Sequence, residues 1–137
     1  MPTWIVIIII SFFAFDVLFV LWILYKRSRR KKLGPKELEY IKSHWIRIID
    51  SFQSHTAAAI LDADKLLDYA LGRHGFGGSL GEKLKKSGAR FSDLNSVWRA
   101  HKLRNSVAHE LGNLDEQEAR KALVAFKKAL NDLGASL

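Results

Sequence analysis

The sequence predicts an all-α protein: one membrane-spanning helix at the N-terminus, then a bundle of four long helices and one short one. Three observations carry that prediction. Residues 3–25 form an apolar run broken only by Ser11 and Asp16. Beyond residue 34, apolar side chains recur at intervals of three and four, the period of a helix with one buried face. No segment alternates polar and apolar residues well enough to make a strand.

The apolar run is long enough to span. Some 21–23 helical residues at about 1.5 Å each cover the roughly 30 Å hydrocarbon layer. A helix meets every backbone hydrogen bond within itself, which the absence of water requires. Trp4, Trp22 and Tyr25 lie near the ends, where amphipathic rings favour the headgroup zone. A cleaved signal peptide would carry its positive charges before a shorter run and end in a small-residue cleavage site. Here Lys26, Arg27, Arg29, Arg30, Lys31 and Lys32 follow the run instead. The expectation is therefore an uncleaved anchor at 1–25, a basic juxtamembrane linker at 26–34 and a helical domain at 35–137. The positive-inside rule puts that domain in the cytoplasm and the short N-terminus outside. The basic run also suits anionic lipid headgroups. Asp16, near mid-bilayer, either meets a partner helix or is tolerated by its strongly apolar surroundings.

The flank explains most of the charge. Of 22 Lys and Arg, six lie in 26–32; of 14 Asp and Glu, one is Asp16. That leaves 16 against 13 from Leu33 onward, so the net +8 is a weak pointer to nucleic acid. The absence of cysteine excludes disulfides, zinc fingers, thiol catalysis and iron–sulfur clusters. Roughly 105 residues remain for the domain, enough for a modest core that oligomerisation would help to stabilise.

Each helix has its own signals. Gly34-Pro35 breaks the chain, with Pro35 suited to a first helical position. Leu38, Ile41, Trp45, Ile48, Ile49 and Phe52 then form the inner face of a helix over about 35–52. After a weak break near Ser54, a second helix runs to about Arg73, with Ile60, Ala63, Leu67, Ala70 and Leu71 inward. Gly72, Gly75, Gly77, Gly78 and Gly81 follow. They do not make a dinucleotide fingerprint, because no strand precedes them and Leu80 occupies the third glycine position; a chain reversal is the expected role. Ser79 and Glu82 form a capping box that opens a short helix to about Lys86. Ser92 is a candidate cap for a helix over about 93–110, which Gly112 stops. Asp115 with Glu118 opens the last helix, with Ala119, Leu123, Phe126, Leu130 and Leu133 inward and Gly134 as terminator.

The chemistry-bearing stretch is Trp98-Arg99-Ala100-His101-Lys102-Leu103-Arg104-Asn105-Ser106-Val107-Ala108-His109-Glu110. Ala100, Leu103 and Val107 share a core face; His101, Asn105 and His109 follow another edge at i, i+4 spacing. An imidazole takes and returns protons near neutrality. A guanidinium stays charged and holds phosphate through paired hydrogen bonds. Together they can break a phosphodiester without metal, with the RNA 2′-hydroxyl as nucleophile. The same residues also fit a plain helix end, with a histidine at the dipole and an arginine on a surface carboxylate. His101 and His109 lie eight apart with no carboxylate motif to complete a metal site, so none is expected.

Arg104-Asn105-Ser106-Val107-Ala108-His109 resembles the R-x4–6-H signature of the HEPN superfamily, and the helical order over about 36–135 is similar to small HEPN domains. The resemblance implies a helical bundle that dimerises and brings two motifs into one cleft. It implies a metal-independent endoribonuclease without cofactor, of the kind found in toxin–antitoxin, antiphage or RNA-processing systems, where an antitoxin-like protein would be a partner. By position, Arg104 and His109 would be the catalytic pair, with Asn105 orienting substrate or the histidine. Other HEPN proteins are non-catalytic adaptors or binding modules, and that reading stays open. His101 and Lys102 would assist substrate binding. Lys83, Lys85, Lys86 and Arg90 form a basic patch that would either attract RNA phosphates or keep the surface soluble. Trp98 would stack a base or, more in keeping with its size, line a dimer interface. Asp62, Asp64 and Asp68 resemble a carboxylate cluster, but a solvated face beside Lys65 is the expectation.

Overall fold

The computed structural model describes residues 1–28, 31–109 and 114–137. Among these, all regular structure is helical: α1 (Thr3–Ser28), α2 (Pro35–Phe52), α3 (Thr56–Arg73), α4 (Leu80–Ser87), a single 3-10 turn (Gly88–Arg90), α5 (Leu94–His109) and α6 (Glu116–Asp132). Contacts divide the chain into two units, Met1–Arg30 and Lys31–Leu137.

The first unit is α1. Its stretch Thr3–Lys26 is long and apolar enough to cross a membrane, about 36 Å at 1.5 Å per residue. Its large apolar side chains stay exposed, Phe13 at 68% and Leu18 at 66%. Water would penalise such a surface heavily; hydrocarbon would not. The helix runs three residues beyond the expected end at 25, and Lys26 Nζ lies 5.1 Å from the Trp22 ring centroid.

In the second unit, α3 is the central helix, touching α2, α4, α5 and α6. The reason is its sequence: eight of its residues are buried, and Ile60, Ala63, Leu67, Ala70 and Leu71 are wholly inaccessible. Burying each leucine or isoleucine contributes about 1.5–3 kcal/mol. Ile41, Trp45, Ile48 and Phe52 of α2 pack on one side, and Ala119, Leu123, Phe126 and Leu130 of α6 on another. Ile49 departs from expectation: one position past Ile48, it is 46% exposed, because 100° of rotation carries it off the stripe.

The ends follow capping chemistry. Pro35 starts α2, where its missing N–H costs no helical bond. Ser79 and Glu82 form the reciprocal box as expected: Ser79 N–H donates to Glu82 Oε2 at 2.7 Å and Glu82 N–H to Ser79 Oγ at 3.3 Å. Ser92 does not cap α5. Its N–H and hydroxyl both donate to Asp132, each at 2.8 Å, and Asp93 caps instead, accepting from Ser96 N–H and Oγ–H. At α6, Asp115 accepts from Gln117 N–H, while Glu118 turns to Lys121 rather than closing a box. Both α3 and α6 end on a glycine in the left-handed region, Gly75 at φ +90 and Gly134 at φ +98. The following N–H returns to a carbonyl five residues back, Phe76 to Leu71 and Ala135 to Leu130. The expected stop at Gly112, like Glu110, lies outside the described residues.

His74, just past α3, is 8% exposed and joins distant segments. Its Nε2 is 3.0 Å from the Leu133 carbonyl oxygen, and its Nδ1 is 2.7 Å from that of Lys31.

Candidate functional site

Polar residues of α5 meet a carboxylate of α3. Val97 and Ala100 of α5 are buried, and Leu103 packs partly on the core, which fixes the helix's rotation. That rotation carries His101 and Arg104, 60° apart in projection by helical geometry (about 100° per residue), towards Asp64. His101 Nδ1 is 2.8 Å from Asp64 Oδ1, and Arg104 Nε is 3.3 Å from Asp64 Oδ2.

Asp64 is only 4% exposed. This overturns the expectation that Asp62, Asp64 and Asp68 form one solvated face. Asp64 lies four residues after Ile60 and three before Leu67, on the apolar stripe itself. Its neighbours separate from it: Asp62 pairs with Lys65 at 3.7 Å, and Asp68 with Lys83 at 2.8 Å. A buried carboxylate needs compensation, and the His101 hydrogen bond together with the Arg104 charge, both from α5, supply it. Breaking such a pair from one side costs about 3–5 kcal/mol.

A carboxylate only accepts hydrogen bonds, so His101 Nδ1 carries the hydrogen in this pair. Trp98 packs edge-on against the His101 ring, with centroids 6.1 Å apart. Arg104 is half-buried and donates from Nη1 to Asn105 Oδ1 at 3.0 Å. Its Nε is shielded from solvent and lacks an aligned hydrogen bond despite the nearby Asp64 oxygen. Asn105 thus touches the guanidinium rather than a histidine. His109 is exposed at the end of α5. Five residues beyond Arg104, it is turned by about 140° around the axis, and no hydrogen bond joins the two among the described residues. One chain therefore gathers Asp64, His101, Arg104 and Asn105 and leaves His109 apart.

The expected basic patch divides. Lys85, Lys86 and Lys102 are exposed. Lys83 is not: it is 8% exposed, and its ammonium donates to the Asp68 carboxylate and carbonyl. Its aliphatic stem packs in the fold while the head finds a carboxylate, so it offers no free cation to a phosphate. Arg90 turns to His74 and Phe76, its Nη1 2.9 Å from His74 Nδ1 and its guanidinium carbon 5.3 Å from the Phe76 ring centroid. Among the described residues no three His, Asp or Glu side chains gather where a metal ion could be held.

Asp64 is the residue that motif reading missed. Its signal was present: an acid on the buried stripe of a helix needs a partner, and the partner had to come from another element.

No family model, no curated protein and no solved structure matches this chain.

Proposed function

We propose that this chain is a membrane-tethered, metal-independent endoribonuclease of the HEPN type, acting as a homodimer at the cytoplasmic face. The observation that carries the reading is the polar edge of α5, on a helix whose opposite side is buried: a half-buried Arg104 guanidinium braced by Asn105, with His109 exposed in the last turn. The guanidinium stabilises the charge that builds on phosphorus. An imidazole supplies the proton transfer. Dimerisation brings the His109 of each copy towards an Arg104 that one helix alone holds apart. The 26–32 run keeps the domain beside anionic lipid and on the side of the membrane where RNA is found.

The pairing of Arg104 with Asp64 favours a second reading, in which the arginine is a structural tie and the bundle is a non-catalytic adaptor for a protein or nucleotide. Incubating the purified chain with mixed RNAs in a metal chelator separates the two. The nuclease reading expects cleavage that falls by about 100-fold or more in His109→Ala and in Arg104→Gln. Intact RNA with the wild-type chain sinks it and leaves the adaptor.

A further inference from the structure

His101 has one ring nitrogen committed and one open. Its Nδ1–H is held by a carboxylate at 2.8 Å, and that carboxylate is itself buried. In the neutral ring the remaining nitrogen, Nε2, is then an acceptor with a bare lone pair. No described residue bonds to it. Its neighbour is Gly81 of α4, where a Cβ would meet Nε2 at 4.0 Å and the Trp98 ring at 3.8 Å, ordinary van der Waals contact, so a glycine there keeps the α4 side of the nitrogen from being crowded by a longer side chain. The other oxygen of Asp64 lies against Arg104. One carboxylate therefore fixes an imidazole and a guanidinium side by side, and both keep part of their surface in solvent, 14% and 29% of each side chain.

We propose that His101 is the general base of the reaction, with Asp64 as its positioning residue and Arg104 as the phosphate clamp beside it. This rests on the ribonuclease reading and deepens it by placing the base within one chain. The 2′-O–H proton passes to His101 Nε2 as the 2′-oxygen forms a bond to phosphorus. The bond from phosphorus to the 5′-oxygen breaks, and that oxygen takes a proton from the His109 imidazolium. The products are a 2′,3′-cyclic phosphate and a 5′-hydroxyl. Asp64 keeps the Nδ1–H tautomer in place throughout and balances the imidazolium that forms.

The test uses the full chain in detergent micelles, with 15N-labelled histidine. In the wild type, the His101 ring is expected as the Nδ1–H tautomer, and uridine 3′-monophosphate is expected to move its Nε2 resonance. That response should disappear in Arg104→Gln. Single-turnover cleavage in chelator should fall by about 100-fold or more in His101→Gln. Its pH–rate profile should be bell-shaped, since one base and one acid are both required, and Asp64→Asn should displace the limb on which the rate rises with pH, which a purely structural carboxylate would not do. An Nε2–H tautomer in the wild type, or His101→Gln cleaving within about twofold of wild type while His109→Ala is dead, overturns the proposal and leaves the ribonuclease reading standing. Intact RNA with the wild type overturns both.

Discussion

Asp64 shows how much one side chain can organise. A carboxylate on the inner stripe of α3 would be costly alone, and the cost is met by drawing His101 and Arg104 of α5 onto its two oxygens. The polar edge of α5 is thus also a packing contact between two helices. Gly134 acts at the same scale through the backbone. At φ +98 it ends α6 in a conformation that a Cβ resists. Gly134→Ala is expected to lower unfolding free energy by about 1–2 kcal/mol, read as an earlier denaturant midpoint with an unchanged slope.

At the scale of elements, carboxylates at helix starts couple stability to acid. Glu82 is held below the ordinary 4.5 chiefly by the Ser79 N–H and then by the Ser79 hydroxyl. Asp93 is held below 3.8 by the Ser96 hydroxyl first and its N–H second. Glu37, in the first turn of α2, is lowered by its own backbone N–H and by Arg73. A carboxyl whose pKa is lower in the fold than in the open chain stabilises the fold in full above the open-chain value. That contribution is withdrawn as pH falls through the folded value. The loss therefore begins below about pH 4.5 for the glutamates and below about 3.8 for Asp93. The double variant Glu82→Gln, Asp93→Asn is expected to show a shallower fall of Tm between about pH 5 and pH 3 than the wild type. Thermal scans across that interval check it.

For the whole molecule, the division at residue 30 separates two physical regimes. Residues 1–26 expose apolar surface; the described residues of 31–137 bury a core. Deleting 1–25 is expected to move the protein from the membrane pellet, where alkaline carbonate should leave it, to the supernatant. Replacing the six basic residues of 26–32 with glutamine while adding lysines before Trp4 is expected to reverse the orientation. Protease accessibility in intact against lysed cells would read that reversal.

The sequence by itself determined the helices, because their information is local. The 3.6-residue stripe of α3, Pro35 at the start of α2, the Ser79–Glu82 box and Gly134 each act within a few residues of themselves. The length and apolarity of α1 are equally a matter of consecutive residues. Where competition came from far along the chain, local reasoning went astray. Ser92 is 40 residues from the Asp132 that takes its donors, and Lys83 is 15 from the Asp68 that holds it. Asp64 is 37 residues from His101, so no local motif could signal the contact that packing makes between them. Only the tertiary structure decided which histidine sits beside Arg104, since hydrogen bonds between elements depend on how the helices are rotated, and the buried faces set that rotation together.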